Sequence, residues 1–519
     1  MSTTPSQTLA EPRPDSSTGS GRSTITWLFA GLMVTQLLAA LSQTVLSTAL
    51  PTIVGELGGV SQMSWVITGY ILASTIMMPI YGRISDLLGR KPVLLAAIVI
   101  FLAGSIVGGV ANDIWWLVGA RVIQGLGGGG LMILSQAAIA DVIPARDRGR
   151  YMGYMGAVFA VSSVAGPLLG GWLTEGPGWR WAFWLTLPLG AAAILATVFL
   201  LKLPPRPSTE KISIDYLGMT LLAGATTAVV LVCTWGGHLY DWASPQIIGI
   251  SAAAVALSAL FVIVERRAAQ PVIPMSLFAD RNFTLSTVAA LLIGVMMFGA
   301  IGYFPTYLQM VTGVTATQAG LLMTPMMASL LVTSILSGRA VSRTGRYKKF
   351  PLIGSAIMGV GLVLISMLKV DSPLWWMCTV LGIFGAGIGL SNQILTLIVQ
   401  NSVPNKIVGT ATAASNFFRQ VGATIGSAIV GSMFVSRLAK LIVEKLPEAA
   451  QLGGGGSNSL TPDTVAHLPE AVRIPIIESY NEALLPIFLF MIPLAVATLI
   501  VLFFVKETSL ATRIERGRG

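Results

Sequence analysis

Two arginines stand where charge is costly. Arg121 falls inside the apolar run 115–139, and Arg419 lies near the middle of another at 407–435. A guanidinium stays ionised at any working pH, so in hydrocarbon it must bond helix carbonyls or line a polar path. Ser42, Gln43, Gln124, Asn392, Gln393, Gln400, Asn416 and Gln420 supply further hydrogen-bonding groups in apolar runs. Together they suit the wall of a polar cavity; singly, each suits a bond between neighbouring helices. The 22 acids all fall in tails, loops or the ends of apolar runs. His238 and His467 lie in polar stretches, while Cys233 and Cys378 lie in apolar ones, so neither a disulfide framework nor a metal cluster is expected. No G-x-x-x-x-G-K-S/T or H-E-x-x-H pattern occurs, and Gly127 to Gly130 sit within an apolar run, not after a strand. These residue types point away from enzyme chemistry and cofactors, and towards moving a solute through an apolar medium.

The elements that would position them are membrane helices. Hydrophobic residues make up 54% of the chain and charged ones only 10%, against roughly a quarter charged in a soluble domain. Apolar runs long enough to span a bilayer lie near 25–47, 63–82, 92–110, 115–139, 151–173, 181–201, 217–236, 245–264, 284–309, 317–338, 351–368, 375–399, 407–435 and 483–505. The expected class is an all-α integral membrane protein with fourteen transmembrane helices. With the N-terminus in the cytoplasm, most of the 32 basic residues occupy inner loops and tails, and the positive-inside rule then places both termini there. Every tryptophan except Trp27 falls at an outer span end in the same arrangement, as indole's preference for the bilayer interface requires. The +10 net charge follows from this topology and from attraction to anionic lipid; basic residues spread over many short loops do not suggest a nucleic-acid partner. Residues 1–22 read as a disordered cytoplasmic tail.

The chain repeats itself. Gly82-Arg83-Ile84-Ser85-Asp86-Leu87-Leu88-Gly89-Arg90-Lys91 follows the second span, and a weaker copy, Gly338-Arg339-Ala340-Val341-Ser342-Arg343-Thr344-Gly345-Arg346, follows the tenth. Both hold the same place in a six-helix unit if the seventh and eighth spans are an insert. The expected organisation is a six-helix bundle at 23–203, two inserted helices at 204–266, and a second bundle at 267–519. The second bundle would carry an outer loop at 437–482, with short surface helices near Thr464–Val472 and Pro475–Leu485, and a short cytoplasmic tail. Repeats of this kind place a substrate site between two halves near the bilayer midplane.

On these motifs the sequence resembles the major facilitator superfamily, specifically its fourteen-span drug/proton antiporters. Gly82 to Lys91 matches the loop motif G-x-L-a-D-r-x-G-r-k, and Leu117 to Gly127 matches the fourth-span motif with its membrane arginine. Gly156 followed by Gly166-Pro167-Leu168-Leu169-Gly170-Gly171 matches the fifth-span antiporter motif. Thr48-Ala49-Leu50-Pro51 and Trp179-Arg180-Trp181-Ala182-Phe183-Trp184 match subgroup patterns. The resemblance implies an inner gate built from Gly82, Arg83, Asp86, Gly89, Arg90, Lys91 and Asp141. In that gate Asp86 would face the N-terminal end of the span near Gly409, and Arg83 or Arg90 would pair with Asp141. It also implies a bend at Gly166-Pro167 that seals the outer half, and a substrate or coupling pathway including Arg121. The bland alternatives are helix packing for Gly125, Gly127 and Gly156, a solvated loop charge for Asp86, and a structural arginine at 121.

One departure matters: where the family carries an acid in its first span, this chain has Leu41-Ser42-Gln43-Thr44-Val45. A cavity with Arg121 and Arg419 but no acid should favour neutral, zwitterionic or anionic amphiphiles. Proton coupling would then use a peripheral acid such as Asp86 or Asp141, or a proton carried by the substrate. The leading functional reading is a monomeric exporter of drugs or other amphiphiles in the cell membrane, driven by alternating access and proton antiport, without cofactors. The alternatives are a dedicated exporter of one native metabolite or lipid and, in a different class, a channel or a sensor.

Overall fold

The computed structural model of the chain describes residues 18–57, 62–201, 213–237, 239–445, 465 and 468–510. Both histidines, the glycine run 453–456 and the basic residues of the 202–212 connection lie outside them. Among the described residues, fourteen helices are long and apolar enough to cross a membrane. They are α1 (Thr26–Leu50), α2 (Met63–Leu88), α3 (Arg90–Gly109), α4 (Ile114–Val142), α5 (Ala145–Glu175), α6 (Trp181–Leu200), α7 (Tyr216–Trp235), α8 (Pro245–Glu265), α9 (Arg281–Thr312), α10 (Gln318–Thr344), α11 (Lys349–Ser366), α12 (Leu374–Asn401), α13 (Asn405–Lys445) and α14 (Glu470–Phe503). Helices satisfy their own backbone groups, which lipid cannot do. Every apolar run therefore becomes one of them.

The ends depart from the sequence reading where polar contacts extend a helix. Residues 437–445 and 470–482, expected in an outer loop, are helical continuations of α13 and α14. Lys445 pairs with Glu478 at 3.7 Å and Glu482 at 2.8 Å, and Arg437 donates to the Glu482 carbonyl. These contacts let charged residues stay helical beyond the apolar stretch. Of the two short surface helices expected there, the second is part of one helix, Glu470–Leu484, with Pro475 inside it, and the first, near Thr464–Val472, lies partly outside the described residues. In α9 the helix is broken between Ile301 and Phe304, ahead of Pro305, which cannot donate a backbone bond.

Helices α1 to α6 and α9 to α14 pack by one scheme: α1 on α5 and α6, α2 and α3 on α4, α3 on α6, and the same pairs eight helices later. Each half has its own core, one around Leu38, Leu94 and Phe101, the other around Ile293, Phe384 and Phe488. Glycine allows the close approaches. In α4, Gly125 and Gly129 lie against the backbone of α2 at Tyr70 and Ser74, and Gly127 lies against α3 at Ala97 and Phe101. The inserted α7 and α8 pair with each other, and α7 touches α2 and α13. The fold is thus two six-helix pseudo-repeat bundles plus two inserted helices, the arrangement of the major facilitator fold.

Candidate functional site

The halves meet through two equivalent helix crossings, α2 with α13 and α5 with α10. Both lie towards the face that carries the loops after α2 and α10, called here the basic face.

At the first crossing Gly82 rests on Ala413 and the Gly409 carbonyl, and any side chain there would clash. One turn later, Asp86 accepts from the Thr410 backbone N–H at 2.7 Å and from its hydroxyl at 2.6 Å. Thr410 is in the first turn of its helix, where unpaired N–H groups and the helix dipole favour a negative charge. Arg90 is 1% exposed and pairs with Asp86 at 2.5 Å and Asp141 at 3.0 Å, while donating to the Ser85 hydroxyl at 2.5 Å. Gly89 turns the chain between α2 and α3 at φ 95°, a conformation that favours glycine. Arg90 thus makes one of the two pairings with Asp141 that the sequence offered. Lys91 lies apart, donating to the Val198 carbonyl at the end of α6.

At the second crossing Gly149 and Gly153 of α5 lie against Gly338 and Ser334 of α10. The repeat aligns Gly338 with Gly82, Ser342 with Asp86 and Gly345 with Gly89. Gly338 again marks the closest approach, against the Gly149 carbonyl, and Gly345 again has positive φ, at 73°. Ser342 accepts from the Arg150 backbone N–H at 3.0 Å, as Asp86 does from Thr410. The second copy therefore replaces an ionic contact with a neutral one.

Between the crossings a small cavity opens in the seam, lined by Gly156 and Phe159 of α5, Met297 of α9, Ser334 of α10, and Asn392 and Gln393 of α12. The buried Gln393 Oε1 has no hydrogen-bond partner among the described residues. Asn392 Oδ1 accepts from Arg419, whose other terminal nitrogen donates to Asn416 Oδ1. Asn416 also reaches across the seam to Gln136 Oε1 at 3.2 Å, and Gln400 to the Gln136 carbonyl at 3.4 Å. Gln420 is half-buried beside Arg419 on the same helix.

Arg121 does not join this cavity. Its guanidinium lies 4.1 Å from the centre of the Tyr70 ring, donates to Gln124 Oε1 at 2.7 Å, and points Nε at the Val66 carbonyl. Gln124 continues to the Ser105 hydroxyl. The arginine is therefore enclosed by α2, α3 and α4, and a single cavity holding both arginines is not what the fold builds. Ser42 is buried and Gln43 half-buried on α1, and neither makes a hydrogen bond among the described residues. Sequence reasoning missed Gln36 of α1, which donates to the Met155 carbonyl, and the cavity residues Phe159, Met297 and Ser334. The repeat offered one usable signal, because Ser334 lies one turn ahead of Gly338.

In the second half of α5, Gly166 packs on Thr44 and Gly170 on the Val45 carbonyl, while Gly171 faces open space. Thr44 Oγ1 donates to the Ser162 carbonyl at 3.0 Å. Pro167 sits inside an unbroken helix, Ala145–Glu175, and its ring approaches Gly320 of α10. Helix α5 thus meets the opposite half at Gly149 and Gly153 and its own half at Gly166 and Gly170, the pair that flanks Pro167. On the far face Trp179, 2% exposed, donates to Glu56 Oε2 at 2.7 Å, and Arg180 pairs with Glu56 Oε1 at 2.7 Å. The Arg180 guanidinium and the Trp179 N–H hold the Glu56 carboxyl below its ordinary value.

The sequence matches the Major Facilitator Superfamily over residues 32–427. It is 35% identical to the multidrug transporter protein MdtP of Bacillus subtilis over 89% of this chain and 88% of that one. Multidrug resistance protein 3 of the same organism is 31% identical, covering 92% and 94%. An uncharacterized transporter of Mycobacterium tuberculosis, Rv1877, is 40% identical over 93% of this chain and 70% of its own length. Among solved structures, the proton:xylose symporter XylE superposes with a TM-score of 0.60 at 15% identity, covering 94% of this chain and 97% of that one, a likeness of fold. Matched by this family over most of its length and carrying fourteen apolar helices among the described residues, the chain belongs to the major facilitator superfamily and is a multi-pass membrane transporter.

Proposed function

We propose that this transporter exports drugs or other amphiphilic small molecules by alternating access, exchanging them for protons. The observation that carries the reading is the unpaired Gln393 carbonyl oxygen in the seam cavity. Gln393 lines the cavity together with the apolar Phe159 and Met297, so the wall holds both hydrocarbon and an acceptor without a partner among the described residues. Such a wall suits a solute with an apolar body and a donor group. The Asp86, Arg90, Thr410 and Asp141 cluster shuts the basic face and, on this reading, is the inner gate. Gly82 sets its close helix crossing and Gly89 its turn, while Arg83 and Lys91 flank it. The basic face is then cytoplasmic, both termini lie in the cytoplasm, and the protein acts as a monomer in the cell membrane. Gly156, Gly166, Pro167, Gly170 and Gly171 form the α5 spine on which the halves rock.

Arg419, held by Asn392 and Asn416 beside the cavity, is the cation nearest to a bound solute and favours neutral, zwitterionic or anionic amphiphiles. Coupling runs through Asp86 or Asp141, or through a proton carried by the substrate. Dye uptake into inverted vesicles tests the whole reading: uptake should be saturable, fall when the pH gradient is collapsed, and drop about tenfold in Gln393→Ala, the loss of one buried polar contact. Indifference to the gradient would remove proton coupling, and unchanged uptake in Gln393→Ala would remove the seam site.

A further inference from the structure

The α5/α10 crossing opens on the basic face into a cavity of about 360 Å³ lined by Asp147, Arg150, Arg339, Ser342 and Arg343. Two arginines there come from the second half and one from the first. Arg339 donates to Tyr154 Oη at 2.9 Å, and the Arg339 and Arg150 guanidinium groups lie 5.7 and 5.9 Å from the centre of the Tyr154 ring. Arg343 makes no hydrogen bond or ion pair with its side chain among the described residues. Its backbone carbonyl, like that of Ser342, accepts from Arg146 of α5, which fixes the turn that presents it.

Three guanidinium groups against one carboxylate leave two positive charges uncompensated by the lining of this cavity. A neutral phenol holds two of the cations in place but cancels no charge. Guanidinium forks match phosphate oxygens in pairs, which an ammonium cannot do. We propose that this cavity binds a phosphate-bearing anion that bridges the two halves. Its oxygens take the free Arg343 fork together with Arg339 on one side and Arg150 on the other. Opening the basic face carries Arg150 away from Arg339 and Arg343, so the anion binds the shut state more tightly and holds the transporter in it. The ligand is either the headgroup of an anionic lipid, since basic residues beside a membrane attract such lipids, or a soluble phosphate ester.

The test uses the purified full chain in nanodiscs of phosphatidylcholine, with and without phosphatidylglycerol. Lipid retained by the protein is read by native mass spectrometry, and inorganic phosphate is titrated by calorimetry. Wild type should retain phosphatidylglycerol or bind phosphate, with R339Q/R343Q about tenfold or more weaker, R343K intermediate, and R267Q, at an exposed arginine just after the insert, like wild type. Displacement of the lipid by inorganic phosphate assigns a shared site. Binding of phosphate with no lipid preference assigns a soluble ligand. If the double variant does not fold, R343Q alone carries the comparison. Binding of neither probe by wild type, or equal binding by the arginine variants, overturns the proposal.

Discussion

Thr410 gives both its backbone N–H and its hydroxyl to one oxygen of Asp86, tying the end of α2 to the first turn of the helix it crosses. Removing one partner of a buried ionic cluster costs about 3 kcal/mol or more, because the other charge is stranded. Asp86→Asn keeps the shape but leaves Arg90 with Asp141 alone. The basic face should then open more often. In a protein lacking Cys233 and Cys378, a cysteine at the fully buried Thr412 should be alkylated several-fold faster in the Asp86→Asn background. An unchanged labelling rate would show that the contact does not hold the face shut.

Gly82 and Gly338 occupy the same place in the two repeats, and each marks the closest approach of its crossing. Valine at either position must push the halves apart, at a cost of about 1–3 kcal/mol for an overpacked contact. Gly82→Val and Gly338→Val should therefore raise labelling at position 412 alike and slow transport alike. A large effect at only one would mean that the crossings do not bear equally on closure.

The two membrane arginines should fail differently. Arg121 is enclosed by Tyr70, Val66 and Gln124 within one half, so Arg121→Gln should lower the melting temperature and reduce all substrates in proportion. Arg419 touches Asn392 at the cavity, so Arg419→Gln should depress export of an anionic dye more than that of a cationic one. Paired efflux assays with both dyes read the difference. Equal losses for both dyes in Arg419→Gln would separate this arginine from substrate choice.

Glu56 sets a pH prediction on the far face. Its carboxyl is held low, first by the hydrogen bond from Arg180 and then by Trp179. A depressed carboxylate contributes stability above its unfolded value and loses it as pH falls through the folded one. Glu56→Gln should lower the melting temperature at pH 7, modestly because the pair is half-exposed. The difference from wild type should shrink as pH falls below the ordinary carboxylate range. A difference independent of pH would assign the effect to packing on Trp179.

Run lengths of apolar residues made the fourteen helices legible, because lipid admits no other way to satisfy that backbone. The repeat made the two halves legible and pointed to Gly82 and Gly338. Rotation about each helix axis stayed hidden. Nothing near Arg121 in the sequence tells that it turns towards Tyr70 on α2 and away from the seam, since glycines at 125, 127 and 129 let neighbours approach on two sides. Helix ends were hidden where charge met charge across space, as with Arg437 and Lys445 against Glu482. The pairing of Arg90 with Asp141 depended on the turn at Gly89, which the sequence marked without fixing its direction.

The inserted pair α7 and α8 has a consequence in parity. Two crossings return the chain to the face it left, so the second half enters the bilayer in the same sense as the first, and both Gly-Arg loops emerge together. One extra crossing, or three, would have turned the second half over and carried Gly338 to the tryptophan-lined face, far from Gly149. An even insertion is neutral to the geometry of closure, which is why the chain can carry extra helices at its centre and still shut on both crossings at once.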